Sequence, residues 1–425
     1  MTPHRLTELP SGLRVVTERM DGVRSASLGF YVHAGSRGET REEAGLSHFL
    51  EHLLFKGSDR YESVQIDQLF DGWGAELNAG TDKESTTVFA RMLDDHLPRA
   101  FDVIADMVWR PAFVDVDPER QVVLEEIAMY EDDPQDTVFD VLGEAVFGDH
   151  PLGRAIIGRA PVVADTPVDV IRAFHARRYR PANVVVAAAG SVDHDQVVEL
   201  ARSTLGAPDQ PDGSVPMPDE APADPAATVR FLRKDTEQVH VCLGGIGLPR
   251  NDERRYAGRV LDAIFGGLSS SRLFQAVREE RGLAYSVYSF AGQYQDTGQI
   301  GLYLGTRPDN LAQAMQVVRD ELSRLRESPA TQEELDRARE NVKARIILAL
   351  ESSSARMSRL GSSVLYGLPL LEPDELVARI DAVTVDDLAA LAQELWAPEK
   401  LSAAGIGPDE SAFRGALGRV AGAAA

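Results

Sequence analysis

The stretch Gly206-Ala-Pro-Asp-Gln-Pro-Asp-Gly-Ser-Val-Pro-Met-Pro-Asp-Glu-Ala-Pro-Ala-Asp-Pro-Ala-Ala-Thr228 divides the sequence into two nearly equal halves. It holds Pro208, Pro211, Pro216, Pro218, Pro222 and Pro225, five acidic residues (Asp209, Asp212, Asp219, Glu220, Asp224) and no lysine or arginine. Repeated prolines remove backbone donors and stiffen the chain toward an extended form, while like charges repel one another. Residues 208–227 are therefore expected to be an exposed linker between a domain at 1–207 and a domain at 228–425.

Read outward from the linker, the halves repeat one plan. The first opens with strands predicted at 12–17 and 25–32, read as a pair, and a turn at Ala34-Gly35-Ser36-Arg37. The second opens with strands at 228–232 and 239–246 and a turn at Leu248-Pro249-Arg250-Asn251. An amphipathic helix ending near glycine follows in each, at 44–56 before Gly57 and at 256–265 before Gly266-Gly267. A second strand pair comes next, 76–78 with 86–92 and 284–290 with 299–304. Long helices follow, including 118–131 and 331–351, and each half closes with a strand (184–188, 401–405) and a short helix. This order predicts an α+β fold of two homologous domains, each a mostly antiparallel sheet covered by helices.

The 425 residues are 44% hydrophobic and 26% charged, the composition of a globular chain. With 44 Lys+Arg against 67 Asp+Glu, the net charge is −23. Such a surface repels phosphate backbones, which argues against nucleic-acid binding. It aids solubility and attracts basic ligands, such as peptides rich in Lys and Arg. The single cysteine, Cys242, excludes an intrachain disulfide and a zinc site built on several thiolates. It lies in the apolar run Val241-Cys242-Leu243, where a buried inert thiol is expected. No apolar run is long enough to span a bilayer, and no basic segment followed by an apolar one opens the chain, so no membrane partner and a cytoplasmic location are expected.

The strongest chemical signal is His48-Phe49-Leu50-Glu51-His52. Leu46, Phe49, Leu50, Leu53 and Leu54 recur at helical spacing around it. Residues four apart on a helix stand one above the other, so both imidazoles point into one small volume with Glu51 on the same side. Neutral imidazoles suit zinc, and a carboxylate beside a metal-bound water can take its proton. The pattern is the inverted form of H-E-x-x-H. Two histidines are an incomplete set, because catalytic zinc usually has three protein ligands. The helix predicted at 118–131 offers Glu125 and Glu126 as the third. One turn back from Glu126 stand Val122 and Val123, whereas Glu125 looks toward Gln121; a ligand must face inward, which favours Glu126. Glu119 lies two turns earlier on the same stripe, placed to support the site from behind.

These residues, with Leu53-Leu54-Phe55-Lys56-Gly57, resemble the pitrilysin/insulinase family of zinc metallopeptidases, and within it the branch similar to the mitochondrial processing peptidase. The resemblance implies one Zn2+ per chain held by His48, His52 and Glu126, with Glu51 as catalytic base and Glu119 assisting. It also implies that Leu77-Asn78-Ala79-Gly80-Thr81 is an edge strand that binds an extended peptide, Asn78 and Ala79 contributing main-chain contacts. Gly80 stands where the family usually has an aromatic residue or similar. In the second half, Ser270-Ser271-Arg272-Leu273-Phe274 and Arg278-Glu279-Glu280-Arg281-Gly282-Leu283-Ala284-Tyr285 extend the resemblance and imply that Arg278 and Tyr285 hold substrate. His150-Pro151-Leu152-Gly153 and Arg180-Pro181-Ala182-Asn183 also agree.

The expected activity is thus zinc-dependent endopeptidase action on unfolded peptides inside a closed chamber. The helix at 256–265 has no histidine, so only the first half can hold metal. Short chains of the family build the chamber from two subunits, which implies a homodimer with Arg278 and Tyr285 supplied to the partner's site. Two alternatives stand beside this reading: a non-catalytic structural or assembly subunit of the same family, and a protease dedicated to one peptide-processing pathway.

Overall fold

The computed structural model describes residues 4–205, 221 and 225–418. Of the linker expected at 208–227, all but residues 221 and 225–227 lie outside the described residues. The chain forms two compact units. The first gathers residues 1–128, 155–219 and 347–370, and the second residues 129–154, 220–346 and 371–425.

The first unit is built on a six-stranded sheet of β1 (His4–Glu8), β2 (Arg14–Arg19), β3 (Ser25–Val32), β4 (Glu76–Thr81), β5 (Thr86–Leu93) and β6 (Val184–Gly190), in the order β1-β2-β6-β3-β5-β4. Only β2 and β6 run parallel; every other neighbouring pair is antiparallel. The second unit repeats the pattern without the first strand. It contains β7 (Val229–Arg233), β8 (Val239–Gly247), β9 (Ala284–Gln293), β10 (Gly298–Thr306) and β11 (Ser402–Gly407), in the order β7-β11-β8-β10-β9, with β7 and β11 parallel. The α+β reading with two mostly antiparallel, helix-covered sheets therefore holds.

The opening strands of the first half, read as a pair, are not neighbours, nor are those of the second half. The closing strand lies between them: β6 separates β2 from β3, and β11 separates β7 from β8. Every residue of β6 and β11 is buried, and a strand buried along its whole length is stable only where both edges and both faces are covered.

Each sheet is packed on both faces. In the first unit, helices Leu46–Leu54 and Leu97–Trp109 cover one face around Leu28, Phe30, Val186 and Ala188. The other face presents Val16, Tyr31, Val185, Ala187 and Ala189 to Met357, Leu360, Val364 and Leu365 of helix Ser353–Leu365. In the second unit, Cys242, Tyr303, Ala404 and Ile406 pack on Val138, Leu142, Val146 and Phe147 of helix Pro134–Phe147. One face of each sheet is thus covered by a helix from the other half of the sequence, and the contiguous halves 1–207 and 228–425 each give one helix away.

Polar anchors fix the first of these helices. Glu18, fully buried, is paired with Arg356 and with Arg359, the latter at 2.9 Å. Ser27 and Ser353 share a hydroxyl hydrogen bond of 2.9 Å. Gly361 permits the close approach, since a Cβ there would stand 2.2 Å from the Tyr31 ring. Cys242 is fully buried, and burial pushes its thiol pKa well up, as expected of an inert core residue. Among the described residues no helix is long and apolar enough to cross a membrane.

Candidate metal centre

The motif helix spans Leu46–Leu54. Leu46, Phe49, Leu50, Leu53 and Leu54 are all fully buried, which at roughly 2 kcal/mol per side chain anchors one face firmly. The opposite face, carrying His48, Glu51 and His52, is left half-buried. The helix begins at Gly45, whose φ of 103° only glycine adopts without strain and whose α-carbon lies against Gly158. Glu39 caps this start: its carboxylate accepts from the backbone N–H of Gly45 (2.8 Å) and of Ser47 (2.6 Å). Burial outweighs those hydrogen bonds and pushes the Glu39 pKa up to about 7.

Helix Val116–Asp132 brings the second group of carboxylates. Arg120 clamps it, stacking 5.2 Å over the ring of Phe49 and donating to the backbone oxygens of Val163 and Thr166. Val123 and Ile127 are buried, Glu125 is exposed, and Glu126 turns inward. Val122, however, is 51% exposed, so only the Val123 side of the inward-face argument holds.

His48, His52 and Glu126 offer one ligand atom each, all within 4.8 Å of one another. The Glu126 carboxylate lies 3.2 Å from His52 Nε2 and 3.6 Å from His48 Nε2, and the two rings are 4.7 Å apart. His52 Nδ1 meets Glu119 Oε1 at 2.8 Å, and Lys56 Nζ meets the other Glu119 oxygen at 2.6 Å. A carboxylate only accepts, so Nδ1 of His52 carries the hydrogen toward Glu119 and Nε2 is turned toward Glu126. A ring nitrogen and a carboxylate oxygen 3.2 Å apart are held by a positive charge between them, either a proton or a metal ion. Burial holds the His48 pKa below its ordinary value, which favours the neutral, ligating imidazole. Two neutral imidazoles and a carboxylate converging in this way are chemically a zinc donor set.

Glu51 stands beside these groups without being one of the converging three. Its Oε2 accepts a short hydrogen bond from Thr81 Oγ1. Burial raises its pKa above the ordinary carboxylate value, and the Thr81 hydroxyl partly offsets that rise. Thr81 ends β4, which pairs only with β5 and is the edge of its sheet. Asn78 and Ala79 sit on this edge strand, Asn78 exposed and Ala79 half-buried.

In the second unit, Arg278 and Tyr285 come together. The guanidinium lies 4.4 Å over the Tyr285 ring and 4.7 Å over that of Phe274, and donates to the Tyr285 carbonyl at 3.1 Å. Tyr285 is 75% exposed.

The sequence pattern described as insulinase (peptidase family M16) matches residues 14–160, and that described as the peptidase M16 inactive domain matches residues 167–342. A protein of Streptomyces coelicolor named as an uncharacterized zinc protease is 43% identical, the alignment covering 96% of this chain and 91% of that one. The chain belongs to the insulinase (M16) peptidase family. A Bacillus subtilis relative named as an uncharacterized zinc protease is 38% identical over 91% of this chain and 94% of its own. Among solved structures, a protease from Helicobacter pylori shares the M16 fold at TM-score 0.89 and 24% identity, covering 95% of this chain and 99% of that chain. A peptidase M16 inactive domain from Pseudomonas fluorescens does so at TM-score 0.88 and 24% identity, covering 96% and 98%.

Three residues around this M16 site were not assigned roles from sequence. Lys56 lies in the turn just after the motif helix, two residues past its end, and nothing in the sequence singles it out. Thr81 lies within the quoted edge segment, but nothing local aims its hydroxyl at Glu51. Glu39, six residues before Gly45, gives no sequence signal of a cap. Because Glu119 orients His52, Glu119→Gln is expected to weaken zinc affinity about 10- to 100-fold, measured by competition against a graded chelator. Unchanged affinity would reduce Glu119 to a packing role.

Proposed function

We propose that this M16 chain is a zinc-dependent endopeptidase that hydrolyses unfolded peptides within a closed chamber, as a homodimer in a reducing, cytoplasmic compartment. One observation carries the reading: ligand atoms of His48, His52 and Glu126 lie within 4.8 Å of one another, with Glu51 at their side. These three residues would hold a single zinc. Bound there, the ion polarises the scissile carbonyl and acidifies a water.

The remaining work falls to the chain itself. Glu51, oriented by Thr81, takes the proton of the attacking water and returns it to the leaving amine. Glu119, itself fixed by Lys56, holds the His52 ring in the tautomer that turns Nε2 to the site. The free edge of β4 at Asn78 and Ala79 pairs with an extended peptide through main-chain hydrogen bonds, which recognises backbone rather than a particular side chain. Arg278 and Tyr285 donate to the substrate carbonyl and its developing oxyanion.

Helix Arg255–Asp262, which follows β8 as the motif helix follows β3, contains no histidine. Each chain therefore carries one metal centre, and in the proposed homodimer Arg278 and Tyr285 of one chain complete the site of the other. Mixing inactive Glu51→Gln with inactive Tyr285→Phe is expected to restore part of the activity, since one of the two mixed sites is then intact. No recovery from a mixture shown to exchange subunits would refute the sharing. A non-catalytic assembly subunit is expected to lack part of this residue set, and here the set is complete. Mass-spectrometric analysis of cleavage in a peptide library, with and without a chelator, tests the activity as a whole.

A further inference from the structure

The second unit has its own version of the place where the first unit carries His48, Glu51 and His52. The β4–β5 hairpin closes with Thr81 opposite Thr86 around a four-residue turn, and β9–β10 closes with Gln293 opposite Gly298 around a turn of the same length. Residues 290–293 are thus the counterparts of 78–81. They line a cavity of about 330 Å³ together with residues of helix Arg255–Asp262. No imidazole faces it. Its polar wall is made of Arg250, Arg255 and Arg259, and its apolar wall includes Leu248, Ile300 and Trp396.

The charges on this wall are unequally satisfied. Arg255 donates to the Asp252 carbonyl, to Glu253 and to the Tyr256 hydroxyl. Arg250 donates to the Gln293 carbonyl at 2.7 Å. Asp262 is the single acid lining the cavity, and it is engaged elsewhere: it accepts from Ser289 Oγ and lies in the field of Arg345. Among the described residues the Arg259 guanidinium has no carboxylate partner, and it lies in the field of the like-charged Arg255. A planar guanidinium with open donors matches a carboxylate in geometry as well as charge. A concave site of a few hundred Å³ with apolar walls and a few convergent polar groups is what a small ligand needs.

We propose that this cavity binds a small carboxylic acid carrying an apolar group, its carboxylate on Arg259 and its apolar part against Ile300 and Trp396. Two sources share that chemistry: a free acid, and the C-terminal residue of a peptide. The site lies within the second unit and does not depend on the metal centre.

The test is calorimetric titration of the full-length, zinc-loaded Glu51→Gln protein with N-acetylphenylalanine, N-acetylphenylalaninamide, 3-phenylpropionate and inorganic phosphate. Binding of at least one of the two acids, with the amide weaker by about tenfold or more, is expected for the loss of a charge-assisted hydrogen bond. Tighter binding of N-acetylphenylalanine than of 3-phenylpropionate assigns the site to peptide C-termini, and the reverse to free acids. Arg259→Gln should reduce acid binding by a similar factor with an unchanged melting temperature, because it strands no ionic partner. Equal binding of acid and amide, phosphate binding as tight as the acids, or no binding at all each overturns the proposal. Since the titration uses a protein whose proposed base is already removed, neither its success nor its failure depends on peptide hydrolysis.

Discussion

Replacing Glu51 with glutamine is expected to lower kcat for peptide hydrolysis by about 10³-fold, within the 10²–10⁴ range for loss of a positioned general base. The amide keeps the size and shape of the side chain, and its oxygen can still accept from the Thr81 hydroxyl that holds Glu51 in place. What it loses is the capacity to take a proton from the attacking water. Glu51 is not one of the three groups whose ligand atoms converge, so zinc should remain at about one per chain. Metal analysis and turnover of a quenched fluorescent peptide are read on the same preparation. Turnover at the wild-type rate would exclude Glu51 as the base, and loss of zinc in this variant would place Glu51 among the ligands.

The second large effect is expected from Glu126→Ala. His48 and His52 come from one helix and supply two ligands, whereas a catalytic zinc site ordinarily needs three. Removing the one carboxylate of helix Val116–Asp132 that, among the described residues, converges with both Nε2 atoms is expected to leave less than about 0.1 zinc per chain after dialysis against a chelator, with activity falling in proportion. The fold should survive. Glu126 is 41% exposed, and the helix is fixed instead by buried Val123 and Ile127 and by the Arg120 clamp. Retention of both ion and activity would remove Glu126 from the donor set and leave the proposed mechanism without a third ligand.

Much of this arrangement was legible in the sequence because its signals are local. The motif helix announced itself through five apolar residues at helical spacing, all of which are fully buried. The β4–β5 and β9–β10 hairpins were legible because short turns separate them. Glu126 emerged from its position next to an apolar stripe, although Val122, half of that stripe as it was read, faces outward.

Long-range pairings were not legible. Nothing in residues 12–32 indicates that β6, more than 150 residues away, will slot between β2 and β3, since an all-apolar strand has no preferred partner until the whole sheet is assembled. The exchange of helices Pro134–Phe147 and Ser353–Leu365 was hidden for the same reason: amphipathic periodicity shows that a face will be buried, not against what. Arg278 and Tyr285 carry no sign of a role in their own surroundings. One is a guanidinium over two rings and the other a largely exposed phenol, so their assignment to substrate came from resemblance alone.

The covering of the first sheet by residues 353–365 sets an order on synthesis. When a ribosome has released the first 207 residues, every strand of that sheet exists, but Val16, Tyr31, Val185, Ala187 and Ala189 still lack their cover, and Glu18 still lacks Arg356 and Arg359. An apolar sheet face waiting in water is a sticky intermediate. The nascent chain must guard it through the translation of nearly 150 further codons before maturation can finish, and a gene cut after residue 207 would yield an N-terminal fragment that carries His48, His52 and Glu126 yet lacks helix Ser353–Leu365 to cover its sheet.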